Sequence, residues 1–574
     1  MDIRPLTAVA TKPERSAVDG VLGSPTSGWD GGEFDEESGR VARGGRSARE
    51  RRHLLLPALH ALREAHGWIS PGGLGYVCER LTIPPADAYG VASFYALLPT
   101  EPRPETVVHA CDDIVCRTAG AEIAIAELEA AGTSVLRSPC LGRCETAPAR
   151  MLDEVGSPFR SDLASDPPGL PQDPESLRLL HRVGTVDPES LEDYEAHGGL
   201  TALRRAAELG ADGVLDELRR SNLRGRGGAA FPVAAKWSGT RGAPGETKHV
   251  IANGDESEPG TFKDRVLMEG DPFAVLEGLL IAAAVTGASH AWVYVRTEYP
   301  EAGERLRRAA EVLRAAGVAP DVSIEVRIGA GAYICGEETS LFASIEGYRG
   351  EPRQKPPFPT ISGLFSQPTA INNVETLVAV LDIVNRGGDA FAAEGTAEST
   401  GPRLFSVSGA VGTPGVYEVP FGVLLGDLID LAGGVEGELG AILLGGAAGS
   451  FVGPDALGMP LTLEDTSAAG ATLGSGAVVV FDDATDFGDV VRRIAAFFRD
   501  ESCGKCVPCR IGTVRQEEAL IRLGSGSSGR VDDELRLLSD VDAVMTDASI
   551  CGLGRTAASA VRSSLRLGLP GVVA

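Results

Sequence analysis

The stretch Gly329 to Glu338, reading Gly-Ala-Gly-Ala-Tyr-Ile-Cys-Gly-Glu-Glu, narrows the possible folds more than any other. An alternating β-branched run, Val322 to Ile328, precedes it, and Thr339 to Glu346 follows with helical periodicity, so the order is strand, glycine loop, helix. Such a turn brings a ligand against bare backbone, with helix N–H groups aimed at it. Two carboxylates at the helix start repel a phosphate there, which separates the motif from a Walker loop or a dinucleotide fingerprint. Glu337 and Glu338 suit acceptors for ribose hydroxyls, a carboxamide or a flavin edge; the plain alternative is an acidic cap on a core helix.

The same alternation runs upstream. Lys248 to Ala252, Ala291 to Arg296 and Val322 to Ile328 read as strands, with helices over Pro272 to Thr286 and Pro300 to Ala316 between them. Strands alternating with helices predict a parallel sheet with right-handed crossovers, whose ligands bind outside the carboxyl ends of the strands. Two polar loops leave those ends, Asn253 to Gly260 and Gly329 to Glu338, and therefore face one crevice. The first crowds Asp255, Glu256 and Glu258 around Ser257, a density that repels itself unless a ligand or cation meets it; a solvated acidic turn is the alternative. Before the sheet, Gly225, Gly227 and Gly228 surround Arg226, so that backbone can press on a flat or phosphorylated ligand while Arg226 and Lys236 offer cations. A glycine-rich loop with solvated basic residues explains the same residues more simply. Beyond the sheet, a Pro-rich segment carries Arg353 and Lys355 as candidate pyrophosphate contacts and Phe358 as a stacking face. Asn372 and Asn373 are paired amides able to read flavin or phosphate atoms.

A chain of 574 residues predicts roughly four domains. Its net charge of -27 excludes nucleic-acid and anionic-membrane surfaces, which need clustered Lys and Arg, and leaves docking to protein open. Residues 1–47, rich in Gly, Ser, Glu and Arg and without an apolar signal segment, are expected to be a disordered tail. Leu276 to Val295 is broken by Gly287, Ser289 and His290 and reads as helix then strand, not a bilayer span, so a cytoplasmic protein is expected.

Cytoplasmic thiols stay reduced, so the Cys 10 of this composition are not read as disulfides. Cys78 is read as packing. Helical spacing runs from Glu50 to Leu98, with Ser70-Pro71 and Pro84-Pro85 opening helices. A small α/β unit follows, with strands over Glu105 to Ala110 and Ser134 to Arg137 and a helix over Thr118 to Ala131. Cys111 with Cys116 and Cys140 with Cys144 follow its two strands; the wide first spacing suits thiolates bridging two irons, with structural zinc the alternative. Residues 156–178 form a linker, Ser190 to Arg220 is helical, and 401–485 look like a β-grasp module without chemistry of its own. In the helical C-terminus, Cys503, Cys506 and Cys509 can hold three corners of a 4Fe-4S cubane that Cys551 closes, zinc again being the alternative.

Taken together these motifs resemble the NADH-oxidising flavoprotein subunit of respiratory complex I and the related diaphorase subunits of NAD-dependent hydrogenases and formate dehydrogenases. The likeness runs from about Leu179 to the end, through Gly225-Arg-Gly-Gly, Asn253 to Gly260, Gly329 to Glu338, Lys355-Pro-Pro-Phe358, Asn372-Asn373 and the last four cysteines named. Residues 48–150 resemble the thioredoxin-like 2Fe-2S partner subunit, here fused to it. The resemblance implies a multidomain α/β chain: a helical and thioredoxin-like unit over 48–155, a Rossmann-like parallel α/β domain over 179–400, the β-grasp module, and a C-terminal helical bundle over 486–574. It implies FMN against Gly225, Arg226, Gly227, Gly228, Lys236, Asn253, Asp255, Glu256, Ser257, Gly336, Glu337, Glu338, Asn372 and Asn373. It implies NAD(H) in contact with Phe231, Glu258, Tyr333, Lys355 and Phe358, a 2Fe-2S cluster on Cys111, Cys116, Cys140 and Cys144, and a 4Fe-4S cluster on Cys503, Cys506, Cys509 and Cys551. The activity implied is hydride exchange between NADH and FMN, with single electrons passed to or from other subunits of an electron-transfer complex. Those partners are an iron–sulfur, molybdenum or tungsten, or nickel–iron subunit, or the peripheral arm of complex I, with no nucleic acid and no membrane insertion. A non-catalytic nucleotide-binding iron–sulfur scaffold is the alternative. Two departures stand out: the family commonly has Gly where Ala230 stands, and the gap between Cys116 and Cys140 is short, which puts closure of the 2Fe-2S site in question.

Overall fold

The computed structural model describes residues 8–25, 50–162, 169–526 and 530–573. Lys12–Leu22 is a helix, which corrects the expectation of disorder over 1–47; residues 1–7 and 26–47 of that tail lie outside the described residues. Composition concealed a capping box: the Glu14 carboxylate accepts from the Thr11 N–H at 2.7 Å, and the Glu14 N–H donates to the Thr11 hydroxyl at 3.4 Å. Val18 and Leu22, one turn apart, are buried, and the helix packs on Leu55–His66. Asp19 accepts from the Tyr76 hydroxyl at 2.8 Å and pairs with Arg80, fastening the helix to Pro71–Leu81.

Pro71–Leu81 begins on the predicted Ser70 cap, whose hydroxyl accepts from the Gly73 N–H at 2.9 Å, and Pro85–Ala92 follows. A sheet comes next: β1 (Thr106–Cys111), β2 (Val135–Ser138), β3 (Arg150–Glu154) and β4 (Arg160–Ser161), in the order β2-β1-β3-β4. β1 runs parallel to β2 and antiparallel to β3, so the loops after β1 and β2 leave the same edge. The helix predicted over 118–131 is two, Ile114–Thr118 and Ala121–Ala130, because Gly120 between them takes a left-handed φ of 89°.

The parallel sheet consists of β5 (His249–Gly254), β6 (His290–Val295), β7 (Ser323–Ile328) and β8 (Thr369–Asn373). β5 and β6 are buried almost throughout, as strands covered on both faces must be. β8 was not foreseen: Thr-Ala-Ile-Asn-Asn has too short an apolar pattern to announce a strand, and pairing with β5 fixes it. The order is β7-β6-β5-β8, so the chain moves outward from β5 to β7 and then returns to the other side of β5. Connections therefore diverge between β5 and β8, and a crevice opens at their carboxyl ends. Beneath it lies Pro272–Thr286, an almost wholly buried helix whose Glu277 accepts from the Leu200 and Leu203 N–H groups at 2.8 Å each, seating the long helix Thr201–Ser221.

Next, β9 (Pro402–Gly409), β10 (Gly415–Pro420), β11 (Leu439–Leu444), β12 (Ser450–Val452) and β13 (Ala477–Asp482) make a mixed sheet ordered β10-β9-β13-β11-β12, with its own apolar core. Glu418 on β10 accepts from the N–H groups of Arg178 (2.9 Å), Leu179 (2.9 Å) and Leu180 (3.1 Å), tying the end of the linker to this sheet; linker residues 163–168 lie outside the described residues. The C-terminal part is helical, as predicted, with Phe487–Asp500, Val507–Gly524, Val531–Ala548 and Ser559–Leu567. Among the described residues no helix is long and apolar enough to cross a membrane.

Val18→Asp puts a charge where the parent side chain has no exposure and should release Lys12–Leu22 from its seat. Limited proteolysis ahead of position 50 is expected to quicken about tenfold, an effect of roughly 1.4 kcal/mol on docking, with the sheet domains still resistant.

Candidate functional site

The crevice between β5 and β8 gathers the loops that lie far apart in sequence. Asn253, at the end of β5, donates its amide to the Gly336 carbonyl at 2.9 Å and accepts from the Asp255 N–H at 3.1 Å, which locks the acidic loop to the glycine loop. A Cβ at Gly336 would lie 3.2 Å from the Asp255 carbonyl, and one at Gly227 would lie 3.0 Å from Asn373 Cβ; glycine is what permits both approaches. Lys236 donates to the Ile371 carbonyl at 2.7 Å, feels the charges of Glu338 and Lys355, and has its ammonium pKa lowered by burial. Lys355 reaches Glu337 at 2.9 Å and Glu338 at 2.5 Å. Phe231 and Phe358, 52% and 58% exposed, present open ring faces. Tyr333 donates to Glu258 at 2.6 Å, and the other Glu258 oxygen accepts from the Ala448 N–H at 2.7 Å, so the mixed sheet closes one side.

Two buried acceptors here, Asp255 Oδ2 and Asn373 Oδ1, have no protein partner, which suits a ligand bringing N–H or O–H donors. Burial, opposed by Arg296, pushes the Asp255 carboxyl up to about 8, and burial pushes Glu258 up to about 7.

Several of the candidate side chains are engaged by the protein itself. The Arg226 guanidinium is buried over Phe421 and donates to the carbonyls of Thr400 at 2.8 Å and Pro402 at 3.2 Å. Glu256 caps Lys263–Gly270, accepting from the Asp264 N–H at 2.9 Å and the Arg265 N–H at 3.0 Å. Glu337 caps Glu338–Ile345 through the N–H groups of Thr339 at 2.8 Å and Ser340 at 3.0 Å, the plain alternative for that residue. Asn372 turns its oxygen to the Trp237 indole N–H at 2.8 Å. Ala230 stands at φ 52°, in the left-handed region, which explains why glycine is usual there and costs roughly 1–2 kcal/mol.

Sequence reasoning missed Lys263, fully buried, whose ammonium lies 2.7 Å from Asp264 and 2.9 Å from Glu375; Asp264 in turn accepts from the Asn373 amide. The signal available was the density of charge in Lys263-Asp-Arg265, directly after a glycine-bearing loop.

The four cysteines of the first group are all buried and converge despite the short gap between the pairs. Cys140 Sγ and Cys144 Sγ are 3.7 Å apart, and Cys111 lies close enough to Cys116 and Cys140 for their thiols to perturb its titration. The N–H groups of Gly142 and Ala149 reach Cys140 and Cys116 sulfur at 3.4 Å each. In the second group Cys506 and Cys551 stand at the N-caps of Val507–Gly524 and Gly552–Thr556, and Cys503, Cys506, Cys509 and Cys551 lie within electrostatic reach of one another. Both quartets touch the crevice loops. Glu501 accepts from the Tyr333 N–H at 2.8 Å and Lys505 donates to the Pro352 carbonyl at 2.8 Å, while Arg296 donates to the carbonyls of Glu256 and Cys140 at 2.7 Å each. Thiol-only donor sets free of disulfides fit iron–sulfur clusters.

Four family models match: the Nuo51 FMN-binding domain over residues 218–382, the NADH-ubiquinone oxidoreductase-F iron-sulfur binding region over 489–567, the thioredoxin-like 2Fe-2S ferredoxin over 44–159, and the SLBB domain over 404–442. The chain is 33% identical over 568 residues to the NAD-reducing hydrogenase HoxS subunit alpha of Cupriavidus necator, covering 90% of this chain and 91% of that one. It is 42% identical over 402 residues to an NADH-quinone oxidoreductase subunit of Rhizobium meliloti, covering 68% of this chain and 94% of that one. A chain in the crystal structure of an air-oxidized NAD+-reducing NiFe hydrogenase superposes with a TM-score of 0.79 at 32% identity, covering 90% of this chain and 93% of that one.

Lys263→Met would leave Asp264 and Glu375 buried without a counter-ion, a loss of about 3–5 kcal/mol that denaturant unfolding should register. Folding raises the Asp255 and Glu258 carboxyls, so their contribution to stability is full below the ordinary carboxylate range and is lost as pH rises through about 7 and about 8. The ligand-free protein should melt at falling temperature across that interval, and Asp255→Asn should flatten the decline in a pH series of thermal melts.

Proposed function

The chain belongs to the FMN- and iron–sulfur-dependent NADH dehydrogenase subunits of the complex I and NAD-reducing hydrogenase type, and from that premise we propose that NADH and FMN meet in the crevice between β5 and β8. One observation carries this reading: Gly227 against Asn373, and Asn253 bonded to Gly336, close on a single cleft that one cysteine quartet reaches through Arg296 and the other through Glu501.

When bound, FMN supplies the conversion of a hydride pair into single electrons, which iron–sulfur clusters take one at a time. The chain's own part is orientation and exclusion of water. Glycine backbone at 225, 227, 228 and 336 admits a flat ring, and Asp255 Oδ2 and Asn373 Oδ1 accept its donors. Lys355, braced by Glu337 and Glu338, faces a pyrophosphate, and Phe231 and Phe358 offer stacking faces to the bases of NADH. Tyr333 and Glu258 seal the inner end against the mixed sheet, which its strand order supports reading as a β-grasp. Cys111, Cys116, Cys140 and Cys144 would hold the 2Fe-2S cluster, and Cys503, Cys506, Cys509 and Cys551 the 4Fe-4S cluster.

Likeness to the hydrogenase subunit across both modules supports a diaphorase within a complex whose other subunits hold the terminal site, an iron–sulfur, molybdenum or tungsten, or nickel–iron centre. The reconstituted chain should reduce ferricyanide with NADH; protein that stays colourless and flavin-free would overturn the reading. Phe358→Ala should raise KM for NADH roughly two- to tenfold with kcat kept, the signature of a lost stacking contact in steady-state kinetics.

A further inference from the structure

Arg296 follows β6 and is buried, yet its guanidinium serves other loops. One Nη donates to the Glu256 carbonyl at 2.7 Å; the other donates to the Cys140 carbonyl at 2.7 Å and to the Glu298 carboxylate at 2.8 Å. Glu256 belongs to the acidic loop of the crevice, and Cys140 to the first cysteine quartet. Neighbours reinforce the seam: the Tyr299 hydroxyl donates to the Glu256 carbonyl at 3.1 Å, and Arg265 donates to the Gly142 carbonyl at 2.9 Å while pairing with Glu145 and Glu269. Arg296 alone among these side chains bonds a backbone oxygen on each side.

We propose that Arg296 is the positioning residue that ties the 2Fe-2S site to the flavin loop, and that Arg296 and Glu298 set the reduction potential of that cluster in opposite senses. The proposal rests on the reading of Cys140 as a cluster ligand. A cluster's potential follows the charge and hydrogen bonding around its sulfurs, and it does so strongly where water is excluded. Reduction adds one negative charge, which a buried cation bonded to a ligand residue's carbonyl favours and a carboxylate opposes. The other nearby cations are each matched by two carboxylates: Arg493 sits 3.5 Å from Asp112 and 3.6 Å from Asp113, Arg265 pairs with Glu145 and Glu269, and Arg143 with Glu269 and Glu301. Arg296 has one, and Glu298 keeps a second buried oxygen with no partner. Removing either member of this pair therefore leaves the other's charge uncompensated beside the cluster.

Redox titration of the reconstituted full-length protein, followed by electron paramagnetic resonance of the reduced 2Fe-2S cluster, tests this. The midpoint should fall in Arg296→Met and rise in Glu298→Gln, each by about tenfold in the one-electron equilibrium, or about 59 mV. Arg296→Lys should recover part of the fall, since lysine keeps the charge but lacks the planar fork that spans the Glu256 and Cys140 carbonyls. Shifts of the same sign in Arg296→Met and Glu298→Gln, or none, overturn the proposal while the ligand reading stands. Should Arg296→Met fail to fold, the absence of a rise in Glu298→Gln overturns it alone. A parent chain with no 2Fe-2S signal overturns the ligand reading, and the proposal with it.

Discussion

Lys263 is without solvent exposure, and its ammonium is shared between Asp264 and Glu375, which between them reach the end of β8 and the first strand of the mixed sheet. Asp264 opens the helix after the β5 loop and orients the Asn373 amide at the end of β8. Glu375, on the helix after β8, accepts from the Leu404 N–H at 2.9 Å and so sets the first strand of the mixed sheet. A buried ion pair contributes little net stability against an apolar replacement, but an unmatched buried carboxylate is very costly, so these charges permit few arrangements. The floor of the crevice and the module that closes it are registered by the same cation.

Much of the architecture was legible because it rests on local periodicity. Strands β5, β6 and β7 and the helix Pro272–Thr286 follow their apolar runs closely, and both acidic and glycine loops were correctly sent to one crevice. What was not legible depends on partners distant in sequence. β8 exists by pairing with β5, and Lys12–Leu22 by docking on Leu55–His66. Direction of side chains was the weakest point: nothing in the sequence distinguishes Lys236, on the crevice side of its neighbours, from Arg226, which turns to Thr400 and Pro402. A charged residue beside glycines satisfies a ligand or a stray carbonyl equally well until the fold decides.

The glycine loop shows how one motif divides its work. Its early carbonyls have no strand to pair with, and the N-terminal helical segment supplies the donors: Ala96 N–H to Gly331 at 3.2 Å, Leu97 N–H to Ala330 at 3.1 Å, and the His60 ring to Gly329 at 2.7 Å. Burial lowers the His60 pKa to about 4, so the neutral ring keeps its proton for that bond. Gly331 has φ 79°, and a Cβ there would come within 2.8 Å of Leu97, whereas Gly336 meets Asp255. The first glycines thus serve contact between fused modules, and the last serves the crevice. Fusion here is a packed interface reaching the site, beyond a linker between two independent units.

A chain with a net charge of -27 nevertheless buries arginines at its seams, and irregular backbone explains why. Loops at strand ends carry carbonyls that no ladder satisfies, and burying them unpaired is costly. Arg226, Arg265, Arg296 and Arg403 each meet one or two: Thr400 and Pro402, Gly142, Glu256 and Cys140, and Gly474. Guanidinium suits this work because its five donors fan out in a plane and it stays charged, while an ammonium offers three from a point. Buried carboxylates do the converse for unpaired N–H groups, as Glu256, Glu277 and Glu418 show, so charges of both signs enter the interior from the same need to satisfy loops that must stay irregular in order to hold a ligand.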